Sequence, residues 1–332
     1  LNKRQENKKQ LSTEEIQEDE ENIYIVKPGD SLYAIARDNN TTVDEIKRKN
    51  VKSKIQDFVL HPEVAESERN NFKITDNDLG IGSPKEKFKR NIEAIKTLKK
   101  CEEENRYATL EEQKILSQYV GWGGLADAFQ ENKTGWEKEY SELKELLNDD
   151  EYKQARGSTL TAFYTPPIVI KAIYDALKNM GLKEANILEP SCGIGNFFGL
   201  IPQEFENCKM YGIEIDSITG RIAQQLYQKS TIAVQGYEKV DLPDSFFDVA
   251  IGNVPFGENG IMDKRYDKYK FFIHDYFFAK TLDKVRPGGV IAFITSKGTM
   301  DKKNPSARKL MAQRGELIGA VRLPNTAFKE NA

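Results

Sequence analysis

The segment Asn186-Ile-Leu-Glu-Pro-Ser-Cys-Gly-Ile-Gly-Asn-Phe-Phe198 decides the fold that we predict for this chain. Its pattern is typical of a short apolar strand, a loop with Gly193 and Gly195, and a following helix. Glycine lets the backbone turn tightly and approach a ligand, because no Cβ intervenes. Phe198 stands where the dinucleotide fingerprint has its third glycine, so the loop favours a smaller nucleoside cofactor over a pyrophosphate.

Strand and helix patterns alternate on both sides of this loop, from about residue 156 to the end of the chain. Thr165 is a candidate cap and Pro166 a first-turn proline for a helix over 168–180, which Gly181 ends. This βαβ rhythm predicts an α/β fold with a Rossmann-like, doubly wound and mostly parallel sheet. The predicted strands cover residues 186–189, 210–214, 231–235, 247–251, 290–295 and 317–321.

The second predicted strand ends in an acid, Glu214, which follows Gly193 by 21 residues (214 − 193). An acid at the carboxyl end of this strand can accept hydrogen bonds from ribose hydroxyls. A solvated strand-end acid is the alternative interpretation. Because the loop and the acid occur together, we predict that Glu214 binds a ribose.

The strand over 247–251 runs into the tetrapeptide Asn253-Val254-Pro255-Phe256. An asparagine side-chain oxygen and a backbone carbonyl can accept both N–H bonds of one amine, which makes its nitrogen more nucleophilic. A strand-end turn with Asn and Pro is common in any protein, so the motif gains weight from the loop that precedes it.

With both motifs on one sheet, the chain resembles the gamma-type N6-adenine DNA methyltransferases, whose motif is Asn/Asp-Pro-Pro-Tyr/Phe. The resemblance implies S-adenosylmethionine as cofactor and the exocyclic amine of adenine in DNA as methyl acceptor. It assigns Asn253 and the Val254 carbonyl to the amine, and Phe256 to stacking beside Pro255. Val254 stands where the family usually has proline; the carbonyl survives, but the rigidity of a proline pair is lost.

The resemblance also implies which residues contact the cofactor. The segment 163–166 lies where the family touches the methionine end, and an acid after the third strand meets the adenine. Tyr237 and Asp241 compete with Glu238 for that adenine. The positions so assigned are Tyr164, Thr165, Pro166, Glu189, Pro190, Ser191, Gly193, Gly195, Glu214 and Glu238.

Two further regions precede the predicted methyltransferase domain, 156–332. Residues 1–22 are nearly devoid of apolar side chains, so we expect a disordered charged tail. Residues 23–60 resemble a LysM module, from Tyr24-Ile-Val-Lys-Pro-Gly-Asp-Ser-Leu32 to Asn50, with 55–60 as its candidate second strand. LysM modules commonly bind N-acetylglucosamine glycans; the alternative is a small packing module with no glycan role.

Residues 61–155 are predicted to be helical. Ser83 with Pro84, and Thr109 with Glu112, have the spacing of helix starts. Trp122 lies in a glycine-rich break, where we predict packing rather than stacking on a base. The first helix has a basic face that is either solvated or follows a phosphate backbone; its residues are Lys85, Lys87, Lys89, Arg90, Lys96, Lys99 and Lys100.

Five shorter stretches resemble the methylase part of large helicase–methylase proteins of conjugative elements and phages. This resemblance implies a mobile-element setting and a helicase region beyond residue 332. The first residue is Leu1, so we also expect a fragment of a longer product. The stretches begin at His61, Asn71, Tyr119, Asp216 and His274.

Composition narrows the remaining possibilities. The net charge of −3 gives no general attraction to nucleic acid, so DNA contacts must be local. Three cysteines without a CxxC pair predict a reducing cytoplasm and no metal site. No apolar run reaches about 18 residues, so we expect no membrane span.

Two features of the C-terminal part leave activity and specificity open. The family's seventh strand is missing, which predicts an unpaired sheet edge that weakens the isolated chain. The loop 257–272 is basic and aromatic and can brace a displaced strand or phosphates, but it cannot read a long site. A protein (glutamine) methyltransferase and a non-catalytic cofactor- or DNA-binding module remain alternatives.

Overall fold

A computed structural model of the chain describes residues 32–42, 58–75, 80–159, 164–324 and 326–328. The chain divides into two compact units, Leu1–Lys52 and Ser53–Ala332. In the first unit, helix α1 (Leu32–Asp38) buries Ile35 and Ala36, as their spacing predicts. The predicted tail, most of the LysM-like module and residues 55–57 of its candidate second strand lie outside the described residues.

The second unit contains a five-stranded parallel sheet in the order β3-β2-β1-β4-β5. This confirms the predicted α/β, doubly wound architecture. The order reverses between β1 and β4, and ligands of open α/β sheets bind in the crevice beyond the carboxyl ends at such a point. The strands are β1 (Asn186–Glu189), β2 (Lys209–Glu214), β3 (Thr231–Val234), β4 (Phe247–Asn253) and β5 (Val285–Ile294).

Hydrophobic side chains cover both faces of this sheet, as a doubly wound fold requires. Neighbouring residues of one strand point to opposite faces, so Ile187 and Leu188 belong to different core clusters. The helices of the described chain are α2 (Pro84–Glu103), α3 (Leu110–Leu116), α4 (Glu137–Leu146), α5 (Asp149–Ser158), α6 (Pro167–Asn179), α7 (Asn196–Gly199), α8 (Ser217–Leu226), α9 (Ile273–Lys284), α10 (Gly298–Asp301) and α11 (Ser306–Arg314). None of the described helices is long and apolar enough to cross a membrane.

Helices α2 to α5 form a layer, here called the helical layer, that shares one hydrophobic cluster with the sheet. Both predicted helix starts are confirmed, because Ser83 with Glu86 and Thr109 with Glu112 form complete capping boxes. Trp122 packs within the layer as predicted. It is 1% exposed, and the ring centroid of Phe129 lies 5.2 Å from its own.

An amide-rich seam joins the helical layer to helix α8 of the sheet domain. The Gln113 side chain donates to the backbone carbonyl of Gln225 at 2.9 Å, and the Gln225 side chain accepts from the Ala108 N–H at 2.6 Å. The Gln228 side chain accepts from the Asn70 N–H at 2.8 Å. Because all these side-chain amides are buried or nearly so, each bond fixes the direction as well as the distance of the contact.

The basic face of α2 is largely neutralised within the protein. Lys96 contacts Glu142 at 2.7 Å and Lys100 contacts Glu112 at 3.2 Å. Lys99 lies 3.0 Å from Glu151, whose side chain is only 5% exposed and also contacts Arg221 of α8. These acids belong to other helices of the layer, so the face stabilises packing and offers few free charges to a phosphate backbone.

Two predictions from the sequence are wrong, one of a strand and one of a helix cap. The segment 317–321 is not a strand: Leu317, Ile318 and Val321 are 67%, 69% and 86% exposed. An alternating apolar run needs a partner edge, and none of the described residues pairs with it. Thr165 does not cap α6; the N-cap position is Pro166, which has no side-chain bond to offer, and Thr165 is buried instead.

Candidate functional site

The loops after β1 and β4 meet at the point where the strand order reverses. The Ser191 hydroxyl donates to the backbone carbonyl of Asn253 at 2.9 Å. This bond joins the glycine loop to the first residue of the tetrapeptide, across 62 positions of sequence. The structure therefore places the two motifs side by side at one edge of the sheet.

Backbone conformation explains both glycines of the loop. Gly193 has φ 57° and Gly195 has φ 84°, which L-residues with a side chain rarely adopt. A Cβ on Gly195 would lie 2.4 Å from the ring of Tyr227, closer than atoms can pack. Tyr227 was not identified from the sequence, since it lies 32 residues away (227 − 195) at the end of α8. The predicted helix after the loop is present as α7, which is four residues long.

Glu214 stands at the carboxyl end of β2, as predicted, and it also shapes the loop. Its Oε2 accepts from the Gly193 N–H at 2.8 Å, and its Oε1 accepts from the Asp216 N–H at 2.8 Å. Burial raises the pKa of Glu214 to about 7, although these backbone donors lower it. The carboxyl therefore holds the loop and still has lone pairs for a further donor.

Glu189 ends β1 in a fully buried position. It is 2% exposed, and its Oε2 has no hydrogen-bond partner among the described residues. Burial, and then the nearby charge of Glu214, raise the pKa of Glu189 well above its ordinary value. Gly252 has φ 141°, and a Cβ there would lie 3.2 Å from Glu189 Cγ. An orphaned buried carboxyl beside the glycine loop suits a ligand that brings a positive charge or an N–H donor.

The remaining residues assigned to a cofactor surround this loop only in part. The Tyr164 ring lies 3.4 Å from where a Cβ of Gly193 would stand, so it forms one wall of the loop. Pro190, between β1 and the loop in sequence, is buried. Thr165 and Pro166 follow Tyr164 into helix α6, and Phe163 lies outside the described residues.

The acid proposed for the cofactor adenine lies after β3. The Glu238 carboxylate folds back to within 2.3–2.6 Å of where a Cβ of Gly236 would be, so it lies close over the backbone of Gly236. Its competitor Tyr237 is 3% exposed, with its hydroxyl 3.1 Å from the Thr281 hydroxyl and its carbonyl bonded to Lys280. The Tyr237 side chain is thus committed to the core.

The tetrapeptide is anchored to the edge strand of the sheet. Asn253 pairs in register with Ile294 of β5, and the Val254 N–H donates to the Ile294 carbonyl at 3.1 Å. Proline has no N–H, so the family's usual residue could not form this bond. The valine therefore fixes the turn by a hydrogen bond where the family uses a rigid ring. Phe256 is 50% exposed.

The loop 257–272 places fewer basic and aromatic groups at its surface than the sequence suggests. Arg265 contacts Asp244 and Asp283, both at 2.9 Å. Tyr266 is 4% exposed, and its hydroxyl donates to Asp283 at 2.6 Å. Both residues hold the loop against helix α9, and a cavity of about 240 Å³ lies beneath it beside Phe272.

A buried polar group behind the turn was missed by the sequence reasoning. His274 and Asp275 open helix α9 and are 4% and 1% exposed. The Lys302 ammonium contacts Asp275, and its cation lies 4.7 Å over the Phe272 ring. Desolvation lowers the pKa of His274. The group ties the segment after β5 to the start of α9, and a pattern of single residues gives no signal for it.

Family models match two parts of the chain. Residues 24–62 match the LysM domain, and residues 203–328 match the Eco57I restriction-modification methylase family. The resemblances to a LysM module and to a methylase of the restriction-modification type are thereby confirmed. The methylase match covers the second to fifth strands and the tetrapeptide.

Curated relatives match shorter parts of their own length. The "Defense against restriction protein B" of Escherichia phage P1 is 32% identical over 181 residues, which are 53% of this chain and 8% of that protein. The "Type II methyltransferase M.CvrRI" of Paramecium bursaria Chlorella virus XZ-6E is 32% identical over 94 residues, 28% of this chain and 24% of that protein. The chain thus spans less than a quarter of either relative.

One similar solved structure comes from Listeria monocytogenes and is assigned to the class I S-adenosylmethionine-dependent methyltransferases. It is 17% identical with a TM-score of 0.39, and the match covers 68% of this chain and 77% of that one.

Proposed function

We propose that the sheet domain, 156–332, transfers a methyl group from S-adenosylmethionine to the N6 amine of adenine in DNA. The observation that carries the proposal is the Ser191–Asn253 hydrogen bond of 2.9 Å. It brings a cofactor-type glycine loop against an asparagine followed by an exposed aromatic ring. The match of residues 203–328 to a restriction-modification methylase family supports the same reaction class.

The residues around the glycine loop fit a cationic nucleoside cofactor. Glu214 would accept from ribose hydroxyls, and the orphaned Glu189 carboxyl would receive a charged or N–H group. Tyr164, Thr165 and Pro166 would flank the methionine end, Pro190, Ser191, Gly193 and Gly195 would give the loop its shape, and Glu238 would meet the adenine. When bound, S-adenosylmethionine supplies an electrophilic methyl group on a sulfonium.

The tetrapeptide would hold the acceptor amine. The Asn253 side-chain oxygen and the Val254 carbonyl accept its two N–H bonds, which concentrates the nitrogen lone pair toward the methyl donor. Phe256 stacks on the extruded adenine, and Pro255 stiffens the turn. The bond from Val254 to β5 keeps both acceptors in place, so the amine is oriented before reaction. Neither acceptor is a base, so the proton that the methylated nitrogen loses passes to water.

The partners and the cellular location of the protein are part of the same proposal. DNA is the substrate, a helicase region is a further partner, and the protein works in the cytoplasm. The domains are a charged tail (1–22), a LysM-like module (23–60), a helical region (61–155) and the methyltransferase domain. A glycan remains the candidate ligand of the LysM domain.

A protein substrate is the second candidate, and one observation favours it. A glutamine side chain also carries an amide nitrogen that needs two acceptors, and the structure uses most lysines of α2 for ion pairs. The helix that argued for DNA therefore offers little to a phosphate backbone.

The test is transfer of a labelled methyl group from S-adenosylmethionine to unmethylated DNA. Asn253→Ala should lower the rate at least about a hundredfold, as losing one transition-state hydrogen bond does elsewhere, while cofactor affinity by calorimetry stays within about twofold. Asn179→Ala, at an exposed position of α6, is the matched control and should change neither quantity.

The outcomes separate the candidates. Label on adenine N6 that disappears in Asn253→Ala supports the proposal. Label on protein glutamine alone would replace DNA by a protein substrate. Cofactor binding without transfer to either would leave a non-catalytic binding module. Gly193→Val should abolish cofactor binding itself, and equal cofactor loss in Asn253→Ala would contradict the division of roles.

A further inference from the structure

The loop that follows the catalytic turn is held at its centre by one half-buried acid. The Asp263 carboxylate accepts from the Tyr276 hydroxyl at 2.8 Å and from the Lys280 ammonium at 3.3 Å. The Asp263 N–H donates to the Asp267 side chain at 2.7 Å, and its carbonyl accepts from the Asp267 N–H at 2.9 Å. The Asp263 side chain is therefore bonded to helix α9, and its backbone is bonded to Asp267 within the loop.

Met262 precedes this anchor and points away from the protein. It is 89% exposed, more than any other large hydrophobic residue of the described chain. A single exposed apolar side chain is ordinary on a mobile surface. Here, however, the next residue makes several hydrogen bonds, so the methionine is held outward on a rigid base. Held in this way, it is available to a partner that can bury it.

The charges around Met262 favour a polyanionic partner. Lys264, Lys268 and Lys270 are exposed, and within the described ranges none of them forms an ion pair. The Asp263 carboxylate is directed to α9, and the Asp267 carboxylate accepts from the Asp263 N–H; Asp267 and Glu258 are both exposed. Three ammonium groups without an ion pair, of which that of Lys268 lies 4.9 Å over the Tyr269 ring, suit phosphates that flank a base stack.

The loop that carries Met262 directly follows the turn that would hold the reacting base. The loop begins at Gly257, directly after the stacking residue Phe256, and the turn before it is pinned to β5 through Val254. Extruding a base from a duplex leaves a gap in the stack and costs a few kcal/mol. Proteins that kink DNA commonly insert an apolar side chain, methionine included, between neighbouring base steps.

We propose that Met262 is the wedge that enters the duplex and fills the space left by the extruded adenine, while Lys264, Lys268 and Lys270 contact the flanking phosphates. The inference rests on the proposed DNA methylation and adds to it a residue that acts only on duplex substrate. It requires that Met262 matter where a base must leave a stack and be dispensable where no stack exists.

The experiment compares methyl transfer to unmethylated duplex DNA and to the same DNA after heat denaturation. The variants are Met262→Ala, the conservative Met262→Leu, and Met180→Ala as a matched exposed methionine at the end of α6. Burying a methionine side chain favours the buried state by a factor of about ten or more, so Met262→Ala should lose about tenfold on duplex DNA. It should keep the unaltered rate on denatured DNA. Met262→Leu should regain most of the duplex rate, and Met180→Ala should match the unaltered chain on both.

Each outcome decides between the two proposals. A duplex rate unchanged by Met262→Ala overturns the wedge and leaves the proposed function standing. An equal loss on duplex and denatured DNA also overturns it, because a wedge has no role without a stack. If the unaltered chain methylates neither DNA, the proposed function fails first and the wedge falls with it. Thermal melting of Met262→Ala should equal that of the unaltered chain, since the side chain is 89% exposed.

Discussion

Replacing Gly195 with alanine should destabilise the protein well beyond the effect of the same change at Gly181. The two glycines have nearly the same backbone conformation, with φ 84° at Gly195 and φ 88° at Gly181. A side chain in this left-handed region costs about 1–2 kcal/mol at either position. They differ in their surroundings: a Cβ on Gly181 would meet nothing within 4 Å.

The additional cost at Gly195 comes from Tyr227. A Cβ there would lie 2.4 Å and 2.8 Å from two ring carbons of Tyr227. The ring cannot swing away easily, since it is 1% exposed and its centroid lies 5.4 Å from that of Phe198. Overpacking of a filled core costs about 1–3 kcal/mol. We therefore expect a loss of about 2–5 kcal/mol for Gly195→Ala and about 1–2 kcal/mol for Gly181→Ala.

The assay is urea unfolding at pH 7, followed by tryptophan fluorescence and by far-ultraviolet circular dichroism. Both tryptophans, Trp122 and Trp136, are buried in the cluster that the helical layer shares with the sheet, so they report the same unit as the loop. Equal midpoint shifts for the two alanine variants would refute the reasoning, because they would show that Tyr227 yields without cost. A shift at Gly195 alone, with none at Gly181, would refute the part assigned to backbone strain.

Two further predictions concern a buried amide and a buried acid. Asn91 is 0% exposed; its Nδ2 donates to the Gly121 carbonyl at 2.5 Å, and its Oδ1 accepts from the Val120 N–H at 2.9 Å. Asn91→Leu should lower the free energy of urea unfolding by about 2–4 kcal/mol, because two buried backbone groups lose their partners. The folded-state pKa of Glu214, about 7, exceeds its ordinary value of 4.5, so the stability it contributes is complete at low pH and declines as pH rises through 7. The difference in urea midpoint between Glu214→Gln and the unaltered chain should therefore change between pH 4.5 and 8; a constant difference would show that this carboxyl does not titrate there.

Features that depend on neighbouring residues could be predicted from the sequence. The capping boxes at Ser83 and Thr109 close within one helical turn, so the residues that make them stand together in the chain. The glycine loop follows the same logic, because the strand before it and the φ angles at Gly193 and Gly195 are local properties. The two motifs could be assigned to one edge of a parallel sheet for a general reason: all carboxyl ends of its strands lie there.

Features that depend on distant partners could not be predicted. The segment 317–321 has the alternation of a strand, but a strand forms only where another edge accepts its hydrogen bonds. Arginine is a residue type that commonly contacts phosphates, but Arg265 is paired with Asp244 and Asp283 instead. Tyr227 shapes the loop through a contact that no spacing rule reveals. In each case the structure depends on residues that are distant in sequence. The type of a residue shows only which contacts it is able to make.

The amide-rich seam has a consequence for how this protein can be divided. Gln225 and Gln228 flank Tyr227 in sequence, and both are held by residues of the 61–155 region. The Tyr227 ring, which packs against Gly195, is therefore held in place by residues outside the sheet domain. A boundary near residue 155 separates two stretches of sequence without separating two independent folding units. Recombination or truncation at that point would sever the support of the glycine loop while leaving every residue of the loop intact.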